Sequence, residues 1–387
     1  MQYSTLFEAD HEAFRQAVKT FIAREVAPNI ERWNEQGLID RSIYRAAGRQ
    51  GMLGLTIGQE DEPGTLDYRY RVVLCEELTR ARAGALMTSF CLQDDVVIPY
   101  FADLCTPEQK ERWLGKLCSG EFIASIAMTE PEAGSDLRGI RSKAERVAGG
   151  WNLHGSKIFI SSGIQSDLIV VAARTDTDAR AGALTLLVVE ADMPGFRRGR
   201  KLEKVGLVAQ DTAELFFDEV FVPDANVLGT VGEGLRELMR HLPIERLGIA
   251  AGAMAGIEAA LEWTLPYVKQ REAFGQPLAR FQNTQFVLAE LLTQRDVTRA
   301  YFDTCVRAFN EGQLTPVEAA KLKYWTTELQ GTVVDACLQL HGGYGYSLEY
   351  PIARAYADAR VGRIYGGTTE IMKTVIARDA LGPDRRS

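Results

Sequence analysis

The stretch on which the fold depends is residues 243–275, PIERLGIAAGAMAGIEAALEWTLPYVKQREAFG. It opens beside a carboxylate, Glu245, continues through a run rich in alanine and glycine, and ends in basic and aromatic residues. This pattern predicts one long helix with Pro243 in its first turn, where a missing N–H has no cost. We expect Pro266 either to kink the helix or to be tolerated where a neighbour satisfies the freed backbone. A second stretch, residues 337–371, is expected to pack against this helix.

Helical periodicity also precedes this stretch. Over about residues 5–120, apolar side chains recur at helical spacing, as in the stripe of Phe14, Val18, Phe21 and Ile22. The same periodicity returns at the start of the third segment and continues to the C-terminus, where short connections favour an antiparallel bundle.

Local signals indicate where several helices begin and end. Thr106 to Gln109 form a capping-box pattern with Pro107 at the first helical position, which predicts a helix ending near Gly120. Gly51 is suited to close a helix around residues 41–50. Other helices are predicted over residues 66–84, 87–104, 282–312, 316–342 and 368–382.

The pattern changes between residues 121 and 231. Short segments rich in β-branched residues are separated by turn residues, with no helices interleaved. This favours an antiparallel barrel or sandwich over a doubly wound parallel sheet, and no G-x-G-x-x-G follows a strand to support a Rossmann site. We therefore predict an α+β multidomain chain. Its parts are an N-terminal all-α domain (1–120), a middle antiparallel β-barrel or sandwich (121–231) and a C-terminal four-helix bundle (232–387).

The bulk composition restricts the class of protein. A net charge of −8 and a pI of about 5.3 argue against nucleic acid or an anionic membrane as the main partner. The sequence has no apolar run of roughly 18 residues and no signal-peptide pattern, so we predict no membrane span. The six cysteines form no C-x-x-C pair and no cluster with the four histidines. Zinc or another metal site is therefore not expected, and the thiols are predicted to be free in a reducing, cytoplasmic compartment.

Three motifs carry a family resemblance. They are residues 128–136 (MTEPEAGSD), residues 155–161 (GSKIFIS), and residues 339–343 (QLHGG) leading to residues 365–371 (YGGTTEI). In the order and spacing of these motifs, the chain resembles the acyl-CoA dehydrogenase family over nearly its whole length. Within the family it looks most like the long-chain branch, followed by the isovaleryl enzymes. The resemblance implies the fold predicted above, one FAD per subunit, and a homotetramer or homodimer.

The resemblance also implies a reaction. In the family a carboxylate removes the α-proton of an acyl thioester, the β-hydrogen leaves as hydride to flavin N5, and electrons pass to an electron-transfer flavoprotein. We expect this α,β-dehydrogenation of acyl-CoA, as in fatty acid metabolism. The alternatives are a desaturase of carrier-protein-bound acyl groups, a flavin monooxygenase on the same fold, and an inactive scaffold. Monooxygenase relatives lack the base.

The catalytic base is expected at Glu245. Many relatives carry a glutamate just before the Gly-Thr of the last motif, where this chain has Gly366. The long-chain and isovaleryl branches place the base in an E-R motif of the long helix, which Glu245 and Arg246 match. By itself, an acidic residue in a first helical turn more simply meets the helix dipole. Burial should raise the pKa of Glu245, and the helix terminus should lower it.

Further matches assign contacts to the flavin ring. The hydroxyl of Thr129 is expected near flavin N5, with the backbone of Ala127 and Met128 beside the pyrimidine edge. Phe159 stands where many relatives have tryptophan, and Ser161 matches a hydroxyl residue that bonds the flavin. Without the resemblance, a strand threonine or phenylalanine would be interpreted as structural.

Another set matches contacts to the rest of the cofactor. Arg271, Phe274, Gln339 and Gly343 match residues that reach the FAD of a neighbouring subunit, where the planar fork of arginine suits pyrophosphate. Thr368 matches a pyrophosphate contact at the start of the last helix, where free N–H groups favour anions.

The remaining matches concern the adenosine portion and the substrate. Glu370 matches a position near the adenosine of FAD rather than the reacting carbon. Ser135 matches a contact to the pantetheine or phosphate of the thioester. Arg246 is expected to contact the CoA end, to pair with Glu245, or to be a surface charge. The backbone N–H of Gly366 is expected to bond the substrate carbonyl.

Overall fold

The N-terminal part of the chain is helical, as predicted. The structure is a computed structural model that describes residues 6–57, 67–177 and 180–382. Val18, Phe21 and Ile22 are buried along one face, and the predicted capping box forms between Thr106 and Gln109. The helices are α1 (Ala9–Phe21), α2 (Ile30–Gln36), α3 (Ser42–Arg49), α4 (Tyr68–Arg80), α5 (Gly84–Cys91), α6 (Ile98–Leu104) and α7 (Pro107–Cys118).

The predicted helix over residues 87–104 contains a change of helical type. The π-helical turn Leu92–Val97 joins α5 to α6, and the flanking residues keep right-handed helical dihedrals. Such turns are frequent at functional sites, and this one lies beside the cavity described below.

The middle part is one eight-stranded sheet in the order β6-β7-β3-β2-β4-β5-β8, with β1 on β4. Most pairs are antiparallel, as predicted, but β1 and β2 each pair with β4 in parallel. Parallel neighbours need a crossover connection, and none was expected from periodicity alone. The strands are β1 (Ala124–Ala127), β2 (Lys143–Val147), β3 (Gly150–Ser161), β4 (Leu168–Thr177), β5 (Arg180–Glu190), β6 (Phe196–Lys201), β7 (Thr212–Pro223) and β8 (Val227–Leu228).

The long helix α8 spans Gly234–Gln270 and contains both prolines. The prediction that Pro243 occupies its first turn is wrong, because the helix begins at Gly234. Pro243 therefore lies in the interior, where it cannot donate to the carbonyl of Met239. The earlier start follows from burial of Leu238 in the core and from stacking of His241 on Tyr100 at 4.2 Å. These are tertiary contacts, which the local pattern does not contain.

The predicted C-terminal bundle is present, with one more helix than expected. The additional helix, α11 (Pro351–Ala359), starts at a proline and is short, so it was not recognised from periodicity. A two-stranded hairpin of β9 (Glu272–Ala273) and β10 (Gln276–Pro277) follows α8. The remaining helices are α9 (Gln282–Asn310), α10 (Pro316–His341), α11 (Pro351–Ala359) and α12 (Thr369–Leu381).

Two glycines of α8 allow the N-terminal helices to approach it closely. A Cβ atom on Gly248 would lie 2.6 Å from Oδ2 of Asp95, and one on Gly252 would lie 2.9 Å from Met87. A larger residue at either position would therefore force the two parts of the chain apart.

The structure also bears on membrane-spanning helices, metal sites and the state of the cysteines. Within the described residues, no helix is both long and apolar enough to cross a membrane, and no group of potential ligands could hold a metal ion. The six cysteines are free thiols, as predicted.

Candidate active site

One cavity brings together residues from all three parts of the chain. It lies between α8, the turn Leu92–Val97, the sheet and the loop before α12, and it holds about 1460 Å³ of empty space including its mouth. Six of the residues predicted from the sequence line it, namely Met128, Thr129, Phe159, Ser161, Glu245 and Gly366. The cavity is thus shared by the predicted base and most of the predicted flavin contacts.

Glu245 and Gly366 face each other across this cavity. A Cβ atom on Gly366 would lie 3.3 Å from Oε1 of Glu245 and 2.3 Å from Cδ1 of Ile249. Gly366 has a φ of +61°, in the left-handed region that favours glycine. A carboxylate could therefore reach the same space from α8 or from the loop before α12, and in this chain α8 provides it.

The surroundings of Glu245 favour its protonated form more than water would. Burial raises the pKa of Glu245, while the charges of Arg246 and Lys323 oppose the rise. Its Oε2 atom is shielded from solvent and has no hydrogen-bond partner among the described residues. Because α8 begins at Gly234, Glu245 is not in a first turn, and the helix-dipole interpretation no longer applies.

Lys323 is a member of the site that the sequence analysis missed. It lies on α10, is fully buried, and donates from Nζ to the carbonyl oxygen of Gly367 at 2.7 Å. Burial, assisted by the nearby Arg246, lowers the pKa of Lys323 to about 8. The sequence signal that could have identified Lys323 is its helical spacing, because Ala319 and Thr327, one helical turn away on either side, are also buried.

Arg246 is buried, with 4% of its surface exposed, so its interpretation as a surface charge is wrong. Burial lowers its pKa, and the charge of Glu245 opposes this effect. Its Nε atom has no hydrogen-bond partner within the described part of the chain. Arg246 does not line the cavity, and its charge acts on the neighbouring Glu245; the predicted contact with the CoA end stays a prediction.

A buried ion pair fixes the segment that carries Met128 and Thr129. Lys157 donates from Nζ to the carbonyl of Met128 at 3.0 Å and to Oε1 of Glu130 at 2.8 Å. The N–H of Ile158 donates to the carbonyl of Thr129 at 3.0 Å. Lys157 and Glu130 both stand in the motifs quoted above, but their pairing could not be predicted without the fold.

Phe159 lines the cavity with a largely exposed ring and a left-handed backbone conformation. Its φ is +61° at an irregularity of β3, and 65% of its surface is exposed. Ser161 lies two residues further along the same cavity wall. Ala127, in contrast, pairs with Val171 in the sheet and is buried in the core, so only its backbone could contact a ligand.

Four predicted residues lie outside the cavity, on exposed surface at the C-terminal ends of α8 and α10 and just after them. Their place is fixed by Tyr267, whose hydroxyl donates to the carbonyl of His341 at 3.0 Å. The guanidinium of Arg271 lies 5.5 Å from the ring centre of Tyr344, and Phe274 is 95% exposed at the tip of the hairpin. The four residues are Arg271, Phe274, Gln339 and Gly343.

The last three predicted residues also lie outside the cavity lining. Thr368 caps α12 and accepts a hydrogen bond from the N–H of Ile371 at 3.4 Å. Glu370 is exposed in the first turn of α12, where contacts with the helix start and Thr368 lower its pKa. Ser135 is exposed after β1.

Comparison with known proteins agrees with this arrangement. Family models match residues 8–121 (acyl-CoA dehydrogenase, N-terminal domain), 125–220 (middle domain) and 232–381 (C-terminal domain). The long-chain specific acyl-CoA dehydrogenase of Rattus norvegicus is 45% identical over 97% of this chain and 87% of its own length. Isovaleryl-CoA dehydrogenase of Solanum tuberosum is 35% identical over 97% of this chain and 92% of its own length.

Solved structures show the same relationship. An acyl-CoA dehydrogenase from Geobacillus kaustophilus is 44% identical, with a TM-score of 0.92 over 97% of this chain and 98% of the other. A glutaryl-CoA dehydrogenase from Mycobacterium smegmatis in complex with FADH2 is 27% identical, with a TM-score of 0.91 over 99% of this chain and 97% of the other. The chain therefore belongs to the acyl-CoA dehydrogenase family and is an FAD-binding, flavin-dependent oxidoreductase.

Proposed function

We propose that this enzyme introduces an α,β double bond into an acyl-CoA, with Glu245 as the base that removes the α-proton. The observation that carries the proposal is the position of the Glu245 carboxyl group, which lines the cavity opposite Gly366. In the family resemblance these are the two positions from which a base reaches the substrate.

The residues around the cavity fit a flavin ring. The largely exposed ring of Phe159 offers an apolar face to a planar group, and Thr129 and Ser161 offer hydroxyls on the same wall. Lys157 donates to the carbonyl of Met128, so the polar backbone edge of Met128 is held in place before a ligand binds. FAD, when bound there, supplies the acceptor for the β-hydrogen as hydride.

The acid–base chemistry falls to Glu245. A raised pKa makes its carboxylate a better acceptor for the α-proton, while Arg246 and Lys323 keep part of the population ionised. We place the N–H of Gly366 on the thioester carbonyl, where a hydrogen bond strengthens as negative charge develops. Lys323 would hold this loop through its bond to Gly367.

The two enzyme alternatives differ in what supports them. A monooxygenase on this fold would have no use for a carboxylate at position 245, so the cavity favours a dehydrogenase. A carrier-protein substrate shares the chemistry and differs at the pantetheine entrance. We propose acyl-CoA, because the long-chain and isovaleryl relatives are both named for CoA substrates.

The exposed group of Arg271, Phe274, Gln339 and Gly343 supports an assembly. Phe274 leaves 95% of its surface uncovered in a single subunit, so the ring is free to contact a neighbouring subunit, as the family resemblance implies. We propose a homotetramer, or a homodimer, in which these residues reach the FAD of a neighbour, with an electron-transfer flavoprotein as acceptor.

We propose a role in fatty acid metabolism. The free thiols support a cytoplasmic compartment, whereas the names of the curated relatives place those proteins in mitochondria.

The decisive experiment is an anaerobic titration of the purified, yellow protein with acyl-CoAs from short to long chains. We expect bleaching of the flavin absorbance, with a rate that ranks the substrates. Bleaching by a reduced nicotinamide with consumption of oxygen, and none by acyl-CoAs, would contradict the proposal in favour of the monooxygenase.

A further inference from the structure

A second acidic residue lines the cavity that contains Glu245. Asp95, in the turn Leu92–Val97, lines the cavity, and its Oδ2 atom would be 2.6 Å from a Cβ atom on Gly248. Gly248 follows Glu245 by three positions, which is about 4.5 Å along the helix axis. Asp95 is therefore one helical turn from the expected base.

Asp95 is held by two other buried residues. Arg71 donates from Nε to both Asp95 oxygens at 3.1 Å, and the hydroxyl of Tyr68 donates to Oδ1 at 3.2 Å. Oδ1 thus accepts two hydrogen bonds, whereas Oδ2, the oxygen beside α8, shares only the Nε–H of Arg71. Oδ2 therefore keeps acceptor capacity that the described residues do not use.

The cluster also has donors that the protein leaves unused. Arg71 is fully buried, and neither of its Nη atoms has a hydrogen-bond partner among the described residues. The adjacent Asp94 adds an ion pair, with its Oδ2 atom 3.8 Å from Nε of Arg71, but it accepts no hydrogen bond from either Nη atom. Arg71 itself does not line the cavity, so a ligand would reach this cluster through Asp95.

An unsubstituted alkyl chain passing this wall would exclude water from Asp95 without offering it a hydrogen bond. A hydroxyl group at the same depth would donate to Oδ2. Carbon–carbon single bonds of about 1.5 Å advance an extended chain by roughly 1.3 Å per carbon. A hydroxyl on roughly the fifth to seventh carbon would then lie beside Asp95 when the second carbon lies at Glu245.

We propose that the Asp95–Arg71 pair is a specificity site for acyl thioesters that carry a hydroxyl group in the middle of the chain. The inference rests on the proposed function, because it uses Glu245 to set the position of the reacting carbon. It adds a preference that the dehydrogenation itself does not require.

The test compares octanoyl-CoA with 6-hydroxyoctanoyl-CoA in anaerobic bleaching of the holoenzyme. We expect the hydroxylated thioester to bleach the wild type at least roughly tenfold more efficiently at limiting concentration, as a hydrogen bond to a charged group implies. The double variant Arg71→Met/Asp95→Leu replaces the pair by apolar side chains, a change that proteins often tolerate, and should lose the preference. The single variant Asp95→Ala, which removes the acceptor oxygens, serves the same purpose if the double variant fails to retain FAD.

Asp94→Asn is the matched control. Asp94 accepts a hydrogen bond from the N–H of Gly54 at 2.6 Å and does not line the cavity, so this variant should keep the preference. Equal or faster bleaching by octanoyl-CoA in the wild type, or a preference that survives without Asp95, would overturn the proposal and leave the cluster as a site for water only. Bleaching by neither thioester would contradict the proposed dehydrogenase function as well.

Discussion

Oε1 of Glu245 lies 3.3 Å from the place where a side chain on Gly366 would begin. The two positions therefore open into the same space, although one lies within α8 and the other in the loop before α12. The sequence resemblance associates both with the base of this family, and the cavity gives that association a geometric basis. A carboxyl group on either position would therefore enter the same part of the cavity.

The variant Glu245→Gln should retain FAD and lose substrate-driven bleaching by at least roughly 100-fold. The amide keeps the shape of the side chain but cannot accept the α-proton, and general-base groups typically contribute that much or more. The measurement is the anaerobic bleaching rate at saturating acyl-CoA. Glu262→Gln, at an exposed position of α8 that pairs with Arg80, is the control and should leave the rate unchanged. An undiminished rate in Glu245→Gln would remove the base assignment.

Moving the carboxylate to the opposite side of the cavity should restore part of the lost rate. In the Glu245→Gln background, Gly366→Glu places a carboxyl group near the same point but brings its Cβ to 2.3 Å from Cδ1 of Ile249. Adding Ile249→Val deletes that atom, so the triple variant should bleach faster than the double variant. The positive φ of residue 366 limits the recovery. If Ile249→Val gives no gain, Ile249 is not what restricts the second position.

Much of the architecture was accessible from the sequence because each part has its own period. Helical spacing at both ends and short β-branched segments between them predicted the order of the three parts. The start of α8 was not accessible. Pro243 fits a first turn locally, but packing of Leu238 and stacking of His241 on Tyr100 extend the helix before it.

The charged residues of the site could not be predicted from the sequence for a different reason. Lys323 and Asp95 occupy positions that periodicity assigns to buried faces, and periodicity gives no reason to place a charge there. Each is accommodated by a partner distant in the chain, the carbonyl of Gly367 for Lys323 and the guanidinium of Arg71 for Asp95. Such partners become visible only when the fold brings the segments together.

A buried ionic network joins the N-terminal helices to the bundle, and Glu76 is its centre. Arg15 on α1 and Arg299 on α9 each donate to a different oxygen of Glu76 at 2.8 Å. We expect Glu76→Gln to lower the free energy of unfolding by roughly 1.5–3 kcal/mol, the range for hydrogen bonds to charged groups, because Arg15 keeps Glu77 and Arg299 keeps Glu258 and Asp303 as anionic partners. Chemical denaturation at neutral pH measures this loss.

The pH dependence of that loss has a definite sign. Burial alone would raise the pKa of Glu76, but Arg299 and Arg15 lower it below its usual value. The stabilisation is therefore present above the unfolded pKa of about 4.3 and disappears as the pH falls through the folded value. The control is Glu12→Gln, at an exposed partner of Arg15, which should cost no more than about 1 kcal/mol. Equal losses in the two variants would argue against a central role for Glu76.

Lys323→Met should displace the pH profile of the reaction to higher pH. The ammonium group opposes the rise in the pKa of Glu245 that burial causes, so its removal should raise that pKa further. Because Glu245 must be ionised to accept a proton, the rising limb of the bleaching rate against pH should move upward. Lys321→Met, at an exposed position of the same helix, should not move it. A lower rate with an unmoved limb would restrict Lys323 to holding the carbonyl of Gly367, because loss of that bond affects the loop without altering the charge on the base.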